Sequence, residues 1–405
     1  MLKKIDVNDL KPGMYIVDVT LSWSDLLSVK RKMHIHDDIF INQLKNSGFQ
    51  EIFVDTSKYQ PVTVDSKIEE KLKDKIVTID DSSIELKQEL EKAEKIRSEA
   101  INLVISIMND VKEGKTLIIS EVNDTVEKMV DSILRNKHAL VGLSKMQQKN
   151  KYIFEHAVNS CALMVAFSNA YGLDGAKQQE YGVGAMLHDI GMMNISSQVL
   201  NKPGKLTSYE EAELRKHVDY GYNILKDTFD VPESTLEMAY QHHEKYNGLG
   251  YPLGLKKDDI SLVGRMISII DVYDAATSDR GYKKAISPSA ALVEILACSD
   301  KDFEGKLVHS FIQSVGIYPF GTLVKLKNKL VGLVIDVNSS ELLHPKIKII
   351  FNPAKGGLIA PFDLELINHK DDQDYAIVGV EAKEKLFLTN DDINRVLGVK
   401  VLAPF

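Results

Sequence analysis

Five of the chain's 11 histidines fall between His156 and Asp271, and this clustering constrains the fold more than any other feature of the sequence. They stand as His156, His188 beside Asp189, His217, and the adjacent pair His242-His243, with Asp271 closing the window. Neighbouring His-Asp and His-His pairs are poor core material, because each imidazole or carboxylate taken out of water needs a polar partner. Divalent cations supply that partner to all of them together. The pattern therefore predicts a fold that gathers these scattered side chains, most of them on helical ground, into one buried metal cluster.

The rest of the composition sets the context. A chain of 405 residues with 44% hydrophobic and 27% charged content reads as an ordinary globular protein of more than one domain. Its formal net charge of -8 argues against DNA or RNA duplexes as partners, since these call for a basic surface. Cys161 and Cys298 cannot build a disulfide framework, so a reducing cytoplasm is the expected compartment. The start, MLKKIDVNDLKPG, lacks the apolar run of a secretory signal, and no stretch approaches the ~18–20 apolar residues of a membrane span.

Taken in order, residues 1–57 read as a small α+β domain. MYIVDVTL (Met14–Leu21) and Glu51–Val54 suit strands, and Ile39–Asn46 suits a short helix. His34 and His36 lack companions and read as solvated or strand-face residues. Residues 58–120 read as a charged helical linker, in which Ala93, Ile96, Ala100, Leu103 and Ile107 make one apolar stripe. That stripe predicts a helix docked on a neighbour, with a dimer-forming helix as the sharper alternative and a homodimer as a candidate assembly. Residues 121–316 read as an all-α catalytic domain, and residues 317–405 as a small β-rich domain with runs at Leu323–Leu326, Leu330–Val337 and Ile347–Phe351. Asp391–Leu397 suits a closing helix. The fold class is mainly α.

The chemistry of the cluster follows from its donors. Five imidazoles and two carboxylates suffice for two octahedral ions with positions left for water and substrate, and an aspartate beside a histidine at a helix end is placed to bridge them. Such a pair, about 3.5–4 Å apart, clamps the oxygens of a phosphoryl displacement and activates water at neutral pH. Mixed N/O ligation without thiolate points to iron or manganese, with nickel, cobalt or magnesium as the remaining candidates.

Leu187-His188-Asp189-Ile190-Gly191 and His242-His243-Glu244, followed by Gly248, Gly250-Tyr251-Pro252, stand in the order of two paired signatures. Between them lie LNKPGKLTSYE (Leu200–Glu210) and His217; after them come Asp271-Val272-Tyr273-Asp274-Ala275 and Arg280-Gly281-Tyr282-Lys283. With these motifs, residues 121–316 resemble the HD-GYP family of cyclic dinucleotide phosphodiesterases, a branch of the HD metal-dependent phosphohydrolases. Residues 1–57 resemble, less closely, the small domain that often precedes such catalytic domains.

The resemblance implies a helical-bundle catalytic domain in which Asp189 bridges two divalent ions. His156, His188 and Asp271 would complete one site, and His217, His242 and His243 the other. Arg280 and Lys283 would hold substrate phosphate, and Tyr251 would shape the nucleotide pocket. The implied reaction is hydrolysis of a cyclic dinucleotide, cyclic di-GMP first and 3′,3′-cyclic GMP-AMP as alternative, to a linear dinucleotide and then mononucleotides.

Two positions depart from the family pattern. Met192 replaces a lysine that touches substrate phosphate in many members, a loss worth roughly 10- to 100-fold in affinity or rate. Tyr152 stands where some members place a glutamate that supports a third ion, so two ions are expected. Met192 also motivates a rival reading, a cyclic-dinucleotide-binding protein with weak catalysis; a generic HD hydrolase is disfavoured by the intact Gly-Tyr-Pro block. Glu244 is expected either to orient an imidazole or to sit in a helix-end salt bridge, and Asp274 to cap a helix.

Overall fold

The computed structural model describes residues 2–11, 14–22, 28–34, 51–58, 86–143, 152–200, 202, 204–278, 285–338, 341–355, 357–386, 388–389, 392–393 and 396. The helix expected at Ile39–Asn46, His36, the Arg280–Lys283 block and most of the closing helix at Asp391–Leu397 lie outside them. The chain falls into two compact units, residues 1–77 with 205–211 and residues 78–204 with 212–405.

The first unit holds a four-stranded antiparallel sheet in the order β1-β4-β2-β3. Its strands are β1 (Leu2–Asp6), β2 (Tyr15–Ser22), β3 (Ser28–His34) and β4 (Glu51–Asp55). Strands β2 and β3 pair antiparallel, with a register shift between Ile16 and Val19. The β1–β4 pair runs from Leu2 opposite Asp55 to Asp6 opposite Glu51 and includes the buried Val54. His34 ends β3 opposite Tyr15.

Among the described residues between 86 and 315 the main elements are helices. They are α1 (Leu86–Lys112), α2 (Ile119–Arg135), α3 (Lys137–Leu143), α4 (Tyr152–Tyr171), α5 (Gly175–Leu187) and α6 (Ser208–Arg215). Then follow α7 (His217–Lys226), α8 (Glu233–Gln241), α9 (Leu262–Thr277), α10 (Pro288–Ala297) and α11 (Gly305–Val315). In the second unit α4 is the hub. Every residue from Glu155 to Ser168 is buried, so this helix has no solvent face and is surrounded by α1, α2, α5, α9 and α11.

The stripe read on α1 is the docked one. Ala93, Ala100, Val104 and Ile107 are buried against α2, α3 and α4, while Ile96 and Leu103 flank the contact. A buried cation, Arg97, stands on the same stripe with its Nη2 3.7 Å from Glu155 of α4.

The C-terminal strands form a five-stranded antiparallel sheet in the order β8-β7-β6-β5-β9. Its members are β5 (Leu323–Leu326), β6 (Val331–Asp336), β7 (Lys346–Asn352), β8 (Gly357–Glu365) and β9 (Ile377–Val380). Strands β5 to β7 match the runs read from sequence; β8 and β9 were not read as strands. Pro361 sits inside β8, where it reads as an interruption, but β8 is an edge strand and needs no donor on its outer side. Val331, Leu333 and Ile335, alternate residues of β6, enter the same apolar cluster as α1–α5, and Phe320 lies against Gly142 of α3. The sheet thus shares a core with the helices. Among the described residues no helix is long and apolar enough to cross a membrane.

Candidate metal centre

Helix ends aim most of the imidazoles. α5 stops at Leu187, making His188 its C-cap, and α8 stops at Gln241, making His242 its C-cap. The last turn of a helix leaves carbonyls without internal donors. His188 Nδ1 donates to Ala185 O at 2.7 Å, and His242 Nδ1 lies 3.0 Å from Ala239 O and 3.1 Å from Met238 O. His217, the first residue of α7, donates Nδ1 to Leu214 O in the last turn of α6 at 2.6 Å. A carbonyl only accepts, so each Nδ1 carries the hydrogen and each Nε2 presents a lone pair to the centre. Helix C-termini also carry partial negative charge, which favours a cation in front of them.

His156, on the central helix α4, is held differently. Its Nδ1 lies 2.7 Å from Asp274 Oδ2, and Asp274 Oδ1 accepts from Asn159 Nδ2 at 3.0 Å. Asp274 is therefore not a helix cap as expected from sequence. It lies within α9, three residues after Asp271 and on the same side, where it turns His156 Nε2 toward the cluster.

The step from His188-Asp189 into the rest of the site depends on a backbone crossing. A Cβ on Gly191 would lie 2.0 Å from His217 O and 2.4 Å from Gly221 N, both main-chain atoms of α7. Only glycine permits this approach, which sets His217 beside Asp189.

Around Asp189 the donors divide into two sets. Oδ1 is 3.4 Å from both His217 Nε2 and His242 Nε2, which are 3.2 Å from one another. Oδ2 is 3.8 Å from His156 Nε2 and 3.9 Å from His188 Nε2. Asp271 closes the second set with Oδ1 3.4 Å from His156 Nε2, and reaches toward the first with Oδ2 3.7 Å from His243 Nδ1. Donor atoms of His217, His242 and His243 lie within 4.8 Å of one another, as do those of His156, His188 and Asp271. Two N/O ligands at ~2.0–2.2 Å from one cation stand roughly 3–3.6 Å apart, so the spacing fits shared cations. The nitrogens His156 Nε2, His188 Nε2 and His243 Nε2, with Asp189 Oδ1, are buried and accept or donate no hydrogen bond. Unsatisfied buried donors and acceptors of this kind are what a metal centre explains. All seven side chains singled out for the cluster in the sequence are brought together here.

Electrostatics prepare them. Burial pushes His188 down to about 4, burial also lowers His217, and burial with the neighbouring His242 holds His243 well below the usual range. Burial opposes ionisation of Asp189 and Asp271, yet the imidazoles around them hold both carboxyls below the usual carboxylate range. Burial likewise opposes charge on His156 and His242. Tyr152, Asp271 and Asp274 outweigh it at His156, and Asp189 with Asp271 at His242, so both pKa values are raised. A place where carboxylates favour an extra proton is one where they favour a cation.

The loop after His243 covers one side of the centre. Among the described residues Glu244 neither orients an imidazole nor forms a salt bridge: its Oε1 accepts from Leu253 N at 2.7 Å and its Oε2 from Leu255 N at 3.0 Å. The loop doubles back so tightly that a Cβ on Gly250 would lie 2.4 Å from Lys245 N. This fold seats Tyr251 on His243, ring centroids 4.7 Å apart and nearly parallel at 29°. Tyr152 stacks on His156 at 5.6 Å and offers no carboxylate there. Met192 lies half-buried in the turn after Asp189. Arg280 and Lys283 fall outside the described residues.

The sequence is similar to those of known proteins. Residues 129–307 match the HD domain family, and residues 2–122 match a domain of unknown function (DUF3391). The cyclic di-GMP phosphodiesterase PA4108 of Pseudomonas aeruginosa is 33% identical over 356 residues, covering 87% of this chain and 86% of that protein. The cyclic di-GMP phosphodiesterase PdeB of Borreliella burgdorferi is 29% identical over 204 residues, 50% of this chain and 54% of its own length. The 3'3'-cGAMP-specific phosphodiesterase 2 of Vibrio cholerae is 31% identical over 192 residues, 47% of this chain and 37% of its own.

Proposed function

Because the chain belongs to the HD-GYP family of HD-domain phosphodiesterases, we propose that it hydrolyses cyclic di-GMP, with its active centre in residues 121–316. The observation that carries this reading is Asp189, whose two oxygens face two different sets of imidazoles. The residues would hold two divalent ions, iron or manganese by their N/O chemistry, and Asp189 offers an oxygen to each set of imidazoles. When bound, such ions polarise a phosphodiester and lower the pKa of water.

The chain's own groups do the rest. Asp274 and three main-chain carbonyls hold the imidazoles in the tautomer that leaves Nε2 free. Glu244 fixes the loop that seats Tyr251 beside His243, so that the ring forms one wall for the nucleotide. Arg280 and Lys283 bind substrate phosphate on the strength of their motif alone. The two cysteines are free, which suits a reducing cytoplasm.

The test is turnover by apo-protein reloaded with iron or manganese, on cyclic di-GMP and 3′,3′-cyclic GMP-AMP side by side, with Asp189→Ala as control. Cleavage of cyclic di-GMP to the linear dinucleotide, lost in the variant, is expected. The second reading, preference for 3′,3′-cyclic GMP-AMP, is favoured by Met192 and by the relative specific for that nucleotide. A higher kcat/KM on the mixed nucleotide would establish it. Tight binding of either nucleotide with neither cut would reduce the protein to a sensor.

A further inference from the structure

Arg215 stands at the rim of the metal centre with no carboxylate to neutralise it among the described residues. It is the last residue of α6, exposed, and two positions before His217. Its guanidinium carbon lies 4.7 Å from the ring centroid of Tyr251, and that ring is stacked 4.7 Å from the ring of His243. The adjacent Lys216 is occupied by Glu213. A cation, an aromatic ring and a cluster imidazole thus form three successive layers leading from solvent to the centre.

The chemistry of this stack points to an anion. A ring takes a guanidinium against its face by cation–π attraction and limits its motion. The in-plane N–H donors stay available, in the fork geometry that grips phosphate through two oxygens. A cyclic dinucleotide carries two phosphodiesters in one ring, and the metal centre engages the one that is cut. The other keeps its charge beside the centre, where a forked cation favours it. Met192 supplies no charge from the turn after Asp189. We infer that Arg215, held over Tyr251, binds the uncleaved phosphate of the cyclic dinucleotide. This rests on the cyclic-dinucleotide reading given above, and it makes Arg215 a substrate-binding residue that the motif reading had missed.

The experiment compares metal-loaded wild type, Arg215→Ala and Arg215→Lys on two substrates: cyclic di-GMP, and bis(p-nitrophenyl) phosphate, which has only one phosphate. Arg215→Ala is expected to raise KM for cyclic di-GMP roughly 10- to 100-fold. Turnover of the simple diester and metal content should stay within about twofold of wild type, because only a contact to the absent second phosphate is lost. Arg215→Lys should recover part of the loss, since it restores the charge without the planar fork. Parallel loss on both substrates would show that Arg215 merely props His217, and unchanged kinetics on cyclic di-GMP would show that it binds nothing; either overturns the inference. If wild type cuts the simple diester but no cyclic dinucleotide, the functional reading fails by itself. Calorimetry of cyclic di-GMP on wild type and Arg215→Ala then decides: weaker binding by the variant sustains the contact, and equal or absent binding removes it.

Discussion

His156 illustrates how one side chain's surroundings set what it can hold. Asp274 fixes its Nδ1, so Nε2 alone faces the centre. Removing the anchor in Asp274→Ala should weaken metal retention about 10- to 100-fold while leaving every direct donor in place, as elemental analysis after dialysis against chelator would report. The raised pKa of His156 has a further effect. The carboxylates that raise it favour a proton on this imidazole in the metal-free protein, and a cation must expel such a proton on binding. Affinity therefore falls as pH falls, by about tenfold per pH unit for each proton displaced. Metal content measured after equilibration at successive pH values should decline toward acid; a flat profile between pH 8 and 6 would contradict the assignment.

Among elements, the crossing of the turn after Asp189 with α7 is the least forgiving. Gly191→Ala drives a methyl group into two main-chain atoms, and overpacking of rigid neighbours costs about 3 kcal/mol, the upper end of the usual range. Gly175→Ala, at the start of α5, meets nothing within 4 Å and should change stability by under about 0.5 kcal/mol. Thermal melts of the two variants make the comparison, and similar melting temperatures would refute it. The same crossing explains what could be read from sequence. His188-Asp189 with Gly191, and His242-His243 with Gly250, were legible because chemistry and backbone geometry demand the same residues at fixed spacing. Asp274 was not, since an aspartate one turn after Asp271 reads equally as a cap, and only the approach of α4 to α9 reveals His156 as its partner. Glu244 was misread for the opposite reason: its partners are main-chain N–H groups of Leu253 and Leu255, which leave no mark on sequence. Strand β8 escaped because an internal proline argues against a strand unless the strand is known to lie on an edge.

At the scale of the whole molecule, the C-terminal sheet and the helices before the active centre depend on one apolar cluster. Phe320, Leu323, Val331, Leu333, Ile335 and Ile350 join residues of α1 to α5 in it. Burying each such side chain is worth about 1.5–3 kcal/mol, so deleting residues 317–405 removes contacts comparable with the whole ~5–15 kcal/mol by which a typical domain is stable. The truncated chain should be insoluble or should melt without cooperativity, as light scattering and calorimetry would show. A soluble, cooperatively folding 1–316 fragment with full metal content would disprove this.

The tethering of His188, His217 and His242 to carbonyls of their own or the preceding helix carries one more consequence. Each ring inherits its bearing from a helix axis and not from the ion it faces, so the cavity has a fixed gauge before any cation arrives. Cations of similar radius would then meet one and the same arrangement of donors, with no rearrangement of the polypeptide asked of any of them.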